Sequence, residues 1–306
     1  MQGKVKIYAS DYPSKLYSSN PVGYANIKDG ITTYITNGNL NRKYFKLVFD
    51  DKYAQIVGAR YIKLDSVQNM RDIGGYKTQK GDKSIRWGKV FRSGNMASLA
   101  DKDKVKLSYL EIKTIIDLAG DEEGEATNPK DFPYSNVISI PVEVKGYMQL
   151  VDKLKNQEVM KGDGALFLQD LYLHFVEDKE EFGKALKLFA DKDNYPIAIN
   201  SSFGKDRVGF LTILLLSVLD IPEETIIKDY LDSNEYINIL PLAPEVHKLN
   251  NDTQEAITVM LHANEALVDM VFEQIDKKYG SVDKYLSNEL GLTDKERESI
   301  KDILLE

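Results

Sequence analysis

There is no cysteine anywhere in these 306 residues. Disulfides, thiolate-bound metals and thiol catalysis are therefore excluded for the chain as it stands. Histidine is scarce too: His174, His247 and His262 each stand in a helix-like segment with no second ligand-type residue at metal-site spacing. All three read as packed or surface imidazoles, and no metal or other cofactor is implied. Long hydrophobic runs are missing as well, the longest apolar stretch, Val208 to Leu219, being interrupted by Gly209, Thr212 and Ser217. No transmembrane helix is expected, since one needs about 18 or more consecutive apolar residues. Positive charge is outnumbered, 40 Lys and Arg against 48 Asp and Glu, giving a formal charge of −8. That balance argues against nucleic acid as a partner, so any phosphate must be held by a local site. The start of the chain, Met1 to Lys6, shows no positive region followed by an apolar core. It fits a cytoplasmic protein or an exported one whose leader has been removed, and the lack of cysteine tips the reading towards export, where a stray thiol is a liability.

What is present divides into two grammars. From Val5 to about Leu64 the chain is made of short runs rich in Tyr, Ile, Val, Thr and Phe, with turn signals at Asp29-Gly30 and Asn37-Gly38. Lys4–Tyr8 and Tyr44–Phe49 alternate in part, as strands with one buried face do. A small antiparallel β-sandwich is expected over residues 1–65, with Arg60–Leu64 either its last strand or the lead-in to the next domain. After Ser66 short apolar runs alternate with amphipathic segments, the pattern of an α/β layer fold over residues 66–306. Thr114–Leu118, Ile138–Val142 and Pro196–Asn200 read as buried strands, with the acidic loop Asp121-Glu122-Glu123 after the first. Leu166–Ala190 reads as one long helix, the segment from Arg207 as a core helix, and Asp252–Glu306 as helical, with Thr293 capping the last helix.

Chemistry concentrates in Ser201-Ser202-Phe203-Gly204-Lys205-Asp206-Arg207, between a buried strand and a buried helix. A strand, a tight Gly-containing loop and a helix N-terminus make an anion site. Backbone N–H groups converge, the helix dipole adds about half a positive charge, and an arginine at Arg207 can clamp two oxygens in a fork. Lys205 would add a further charge.

These residues resemble the signature of the bacterial tyrosine/serine protein phosphatases related to the dual-specificity lipid and protein phosphatases, His-Cys-x-Ala-Gly-Lys-Asp-Arg-Thr-Gly. Gly204, Lys205, Asp206, Arg207 and Gly209 match it. Further blocks match in order: Asn69-Met70-Arg71-Asp72-Ile73-Gly74-Gly75-Tyr76, Arg86 to Gly94, Asp229 to Tyr236, and Tyr279 to Leu286. The resemblance implies a tyrosine-phosphatase-like central sheet flanked by helices. It also implies a loop that seats a phosphate or sulfate ion on Ser202, Phe203, Gly204, Lys205 and Arg207, and as ligand a phosphorylated protein or small phosphomonoester. Asp206, and after it Asp72, are the implied general acids, although an Asp just before a Gly-Gly pair is as often a turn residue. Arg71 and Arg92 would brace the loop from behind.

The departures matter as much. Ser201 stands at the nucleophile position, Asn200 replaces the histidine before it, Phe203 the alanine, Val208 the threonine, and Ala119 the arginine after the Asp-Leu pair. A thiol with an ordinary pKa near ~8.5 can be ionised by such a loop, whereas an alcohol lies far out of reach. The expectation is a phosphomonoester-binding protein that turns over little or nothing. The alternatives are an engineered serine in an active phosphatase, or an extracytoplasmic binding protein using the fold as a scaffold. The coupled loss at Asn200 and Val208 favours natural change over a single replacement.

Overall fold

The computed structural model describes residues 3–16, 20–28, 31, 33–35, 42–119, 127, 131–132 and 135–306. Both expected turns, Asp29-Gly30 and Asn37-Gly38, and the acidic loop Asp121–Glu123 lie outside these residues.

Partial alternation of apolar and polar residues builds the N-terminal part. Strands β1 (Gly3–Ser10), β2 (Gly23–Ile27), β3 (Tyr44–Phe49) and β4 (Tyr53–Gly58) pair antiparallel in the order β2-β1-β3-β4. Val5 and Ile7 point to one face of β1 and are buried there against Ile27, Phe45, Leu47 and Phe49, as a period of two requires. The antiparallel character expected from the sequence is present, and the described strands form one four-stranded sheet.

The larger part has a second sheet of five short strands: β5 (Arg71–Asp72), β6 (Val90–Ser93), β7 (Thr114–Asp117), β8 (Asn136–Ser139) and β9 (Ile197–Asn200). Their order is β5-β6-β9-β7-β8, parallel except for the β5–β6 pair. The wholly buried, β-branched composition of Thr114–Asp117 and Ile197–Asn200 is what a sheet covered on both faces selects. Helices α1 (Asp101–Ser108), α2 (Tyr147–Asn156), α3 (Asp163–Glu177), α4 (Lys179–Lys187), α5 (Asp206–Val218) and α6 (Glu223–Leu231) flank it, followed by helices at Asn251–Leu261, Glu265–Tyr279 and Asp294–Leu304. Among the described residues no helix is long and apolar enough to cross a membrane. Thr293 caps the last helix through a reciprocal box with Glu296, as its sequence position suggests.

The long helix expected over Leu166–Ala190 is two helices. Asp178 leaves the helical region (φ −81°, ψ 66°) and separates α3 from α4. The break has a packing cause: it lets Phe175 of α3 and Phe182 of α4 both meet Phe210 of α5, with ring centroids 5.8 Å and 4.6 Å away. A straight helix could not wrap α5 from both sides.

Trp87, the only tryptophan, joins the two sheets. Its ring lies on Gly74 and Gly75, where a Cβ on Gly75 would fall 2.4 Å from the indole and φ is +80°. Its Nε1 donates to the carbonyl of Ile56 on β4 at 3.1 Å, and Leu16 and Tyr44 complete the apolar contact. Beside it Arg42 makes an ion pair with Asp72 at 2.8 Å, both side chains buried. Arg60–Leu64, left open by the sequence, is a lead-in: Arg60 O accepts from Asp72 N, Ile62 N donates to Met70 O, and Ile62 and Leu64 belong to the core under β6 and β7.

We propose a domain boundary near Ala59. A chain beginning there should remain folded with a lower Tm and a red-shifted Trp87 emission, because the indole loses the cover of β4. Aggregation of the shortened chain under conditions where the full chain is soluble would show the sheet to be part of the core.

Candidate active site

Strand β9 runs between β6 and β7, and the loop after it opens at the C-terminal ends of the parallel strands, where such sheets place their ligands. Ser201–Lys205 form this loop, and α5 begins at Asp206. Gly204 determines its shape. Its N–H donates to Ser201 O at 3.1 Å, its φ is +63°, and a Cβ there would sit 2.2 Å from the carbonyl oxygen of Ser93. Only glycine fits so close an approach in that conformation.

The loop's carbonyls are drawn outward. Ser202 O accepts from Asn95 N at 3.0 Å. Asn69 Nδ2 donates to Phe203 O and Gly204 O, both at 3.0 Å, and Arg92 Nη2 donates to Gly204 O at 2.8 Å. Because the N–H of a trans peptide points opposite to its C=O, the amides of Phe203 and Lys205 turn away from these braces, to the concave side.

Behind the loop stands a buried charge cluster centred on Asp229 of α6. Arg92 Nη1 lies 2.5 Å from its Oδ2, Arg71 Nε 3.5 Å from its Oδ1, and Arg71 Nη2 donates to its backbone carbonyl at 2.7 Å. Tyr76 adds its hydroxyl at 3.0 Å, and Arg71 also donates to Asn69 Oδ1. Burial by itself would push the Asp229 carboxyl up, but the charges of Arg71, Arg92 and Arg60 bring it down to about 2. Burial, reinforced by the neighbouring Arg92, lowers Arg71 to about 10 against the pull of Asp229. Arg71 and Arg92 thus act on the loop from behind, in the position the sequence suggested for them.

The candidate residues separate into two groups. Ser201 and Arg207 are buried at the loop, and Arg207 on the first turn of α5 donates from Nη2 to Ser202 Oγ at 2.6 Å and from Nη1 to Leu118 O and Val142 O at 3.3 Å and 3.4 Å. Phe203 stands half-exposed at the mouth. Asp206 opens α5, and its Oδ1 accepts from Tyr172 OH at 3.0 Å and from Lys205 Nζ at 2.7 Å. Lys205 is 1% exposed and points to Asp206 and His262 O rather than into the loop. Burial opposes its charge, but Asp206 and the phenol of Tyr230 hold its pKa above the ordinary value.

Asp72 is elsewhere. Its Oδ1 accepts from Gly74 N and its Oδ2 from Gly88 N, both at 2.7 Å, with Arg42 alongside. A carboxylate so filled serves as the turn residue its Gly-Gly neighbours indicated, and among the described residues its side-chain partners are Gly74, Gly88 and Arg42.

Asn200 Nδ2 reaches Thr127 Oγ1 at 2.9 Å and Asp117 Oδ1 at 3.3 Å, while Val208 is wholly buried in the core. Asn69, Asp229, Tyr76 and Tyr172 carry the support of the site and had no assigned role in the sequence. Three of the four stand inside blocks that the sequence singled out, so the signal was position without function. A cavity of about 130 Å³ opens over the loop, walled by Tyr147, Phe167, Leu171, Phe203, Met260 and Leu261.

Asp229→Asn should destabilise the fold by about 3–5 kcal/mol, since Arg71 and Arg92 would be left buried without a counter-charge. The native carboxyl titrates below its ordinary 3.8, so its stabilisation is complete above that value and is lost as pH falls towards about 2. Chemical denaturation of the variant should therefore show a flatter pH dependence across that window. Gly204→Ala should leave the sheet intact by circular dichroism and lose oxyanion binding.

The residues that make this loop and its brace fall within the span 62–306, which matches the Tyrosine phosphatase family. Among curated proteins the chain is similar to a candidate tyrosine-protein phosphatase of Cupriavidus necator, 26% identical over 242 residues, covering 78% of this chain and 86% of that protein. It is also similar to a triple specificity protein phosphatase of Mycobacterium tuberculosis, 23% identical over 262 residues, covering 73% of this chain and 92% of that one. A match that takes in the whole second sheet, the loop after β9 and the helix carrying Asp229 places this chain in the tyrosine phosphatase family.

Proposed function

We propose that the chain binds phosphomonoesters of the phosphotyrosine type at the loop Ser201–Arg207 and hydrolyses them at or near background. Family membership supports a phosphatase-type function and a phosphorylated ligand. The observation that carries the binding half is the loop itself: its carbonyls are tied outward by Asn69, Arg92 and Asn95, its amides turn inward, and Arg207 stands on the first turn of α5. That is the concave donor set a phosphoryl group requires.

The nature of the ligand is read from the walls. The cavity is narrow and lined mostly by aromatic and aliphatic side chains, with Arg207 the one cation among its lining residues. Lys205 is spent on Asp206. An aryl phosphate places its ring against Tyr147, Phe167 and Phe203, whereas an inositol polyphosphate would find no second cation among the described residues that line the cavity. In this reading Phe203 and Lys205 contribute backbone donors, Gly204 gives the loop its curvature, Ser202 holds Arg207 through its hydroxyl, and Arg207 supplies the charge-assisted fork. Asp206, with Oδ1 held by Tyr172 and Lys205, offers its other oxygen to the ester oxygen. Asp72 is a structural residue of the joint.

The impaired turnover rests on Ser201. Loop amides and one arginine can lower a thiol into the neutral range, but an alcohol begins many units higher. Two further departures fit the same reading: Asn200 is committed to Thr127 and Asp117, and Val208 offers no hydroxyl.

Calorimetry should show a phosphotyrosine peptide binding to the native chain more tightly than inositol 1,4,5-trisphosphate, with binding abolished in Arg207→Ala. Unchanged affinity in Arg207→Ala would remove the loop as the site. Turnover of para-nitrophenyl phosphate should stay at background for the native chain and rise only weakly in Ser201→Cys. It should rise a further ~10-fold or more in the triple variant Asn200→His, Ser201→Cys, Val208→Thr, the scale of regaining positioned catalytic hydrogen bonds. Robust native turnover that is lost in Asp206→Ala would refute the impaired reading.

A further inference from the structure

At the opposite end of the second sheet from the loop lies another cavity, of about 410 Å³, at the joint between the two sheets. It lies beside the N-terminal ends of β6 and β9, lined there by Lys89 and Pro196. Those strands are four residues long, which separates it from the loop by about 13 Å of sheet. The volume falls in the range of small-molecule sites, roughly 300–1,000 Å³.

Its walls are flat and aromatic: Tyr12, Tyr44, Trp87 and Tyr109 all line it. Two cations line it as well, and neither Arg86 nor Lys89 pairs with a carboxylate among the described residues. Arg86 spends Nη2 on the carbonyl of Leu305 at 2.7 Å, but its Nε is buried with no hydrogen-bond partner among the described residues. Lys89 is half-buried, and its pKa is lowered by that burial and by the charges of Arg86 and Lys113. A third cation, Lys15, holds its ammonium 4.0 Å from the centre of the Tyr12 ring. Half-buried like charges without a counter-ion are costly, and an anion between them would relieve that cost. Glu111 and Glu306 also line the cavity, both on exposed side chains. They oppose a multiply charged ligand more than a singly charged one.

We infer that this joint cavity is a second binding site, independent of the phosphatase loop, for a small planar monoanion of the aromatic carboxylate class. Its ring would lie against Trp87 and Tyr12, and its carboxylate would meet the Lys89 ammonium, with the charge of Arg86 alongside. The ring supplies apolar contact and orientation, and the charge-assisted hydrogen bonds supply the preference for an anion.

Trp87 is the only tryptophan and lines the cavity, so its emission reports occupancy directly. The probe is naphthalene-2-carboxylate, titrated into the full chain, with the neutral naphthalene-2-carboxamide as its uncharged counterpart. Saturable quenching by the carboxylate is expected, and the carboxamide should bind roughly tenfold or more weakly. Arg207→Ala should bind the probe as the native chain does. Lys89→Gln should weaken it roughly tenfold, and Lys89→Arg should preserve most of the affinity. Lys89 has no ion pair among the described residues, so these variants should keep the native Tm. The inference is overturned by an absence of saturable quenching, by equal affinity for carboxylate and carboxamide, or by indifference to Lys89→Gln. Loss of binding in Arg207→Ala would equally overturn it, by assigning the probe to the loop.

Discussion

The site depends on one buried carboxylate. Asp229 is fully enclosed and faces two enclosed arginines, Arg71 from β5 and Arg92 from β6, with the hydroxyl of Tyr76 beside them. One negative charge does not balance two positive ones, so the remaining donors must be satisfied by neutral acceptors. They are: Arg92 donates to Gly204 O, and Arg71 to the side chain of Asn69, whose own amide group donates to Phe203 O and Gly204 O. The surplus positive charge is thus spent on pulling the loop's carbonyls back. Desolvation offsets much of the Coulomb attraction in a buried ion cluster of this kind, so its net stabilisation is small while removal of one partner is costly. Here the cluster sets the curvature of the loop after β9.

A separate constraint ties the N-terminal sheet to this scaffold. Gly74 and Gly75 leave the space that the indole of Trp87 fills, and the indole N–H in turn stops the edge of β4 at Ile56. An edge strand with open carbonyls invites pairing with other chains, and covering it with a tryptophan removes part of that hazard. Asp72 belongs to the same joint. It gathers the amides of Gly74 and Gly88 and the guanidinium of Arg42, which explains an invested, buried acid without assigning it any chemistry. The joint and the loop are thereby independent devices that happen to share the β5–β6 pair.

That independence bears on the serine. The brace acts on backbone carbonyls of residues 203 and 204, and none of its contacts involves the side chain at position 201. A loop braced in this way therefore needs no sulfur to keep its shape. The shape of the loop and the reactivity of the side chain at position 201 are thus separable: the first rests on carbonyls tied back by Asn69 and Arg92, the second would rest on a single side chain and its neighbours.

Much of this was legible in the residues. Short β-branched runs without polar interruption marked β7 and β9, a nearly all-apolar helix marked α5, and Gly204 between a strand and that helix marked the loop, because each reflects a local rule of backbone conformation or burial. The ordered blocks around Asn69, Arg86, Asp229 and Tyr279 marked the family. The sequence could not say that α3 and α4 part at Asp178, since the apolar spacing runs on through it and only the need to pack Phe175 and Phe182 on Phe210 breaks the helix. It ranked Asp206 ahead of Asp72 only through the resemblance, and could not show their partners in space, Arg42 and two turn amides for Asp72, Tyr172 and Lys205 for Asp206. That the Lys205 ammonium is buried against Asp206 was likewise not legible in the sequence. Local sequence determined which segments could form the anion loop and its sheet, because those choices rest on propensity and burial over a few residues. The tertiary structure alone decided which charges meet, because Asp229 reaches Arg71 and Arg92 across 158 and 137 positions of the chain, and no periodicity in the residues encodes that encounter.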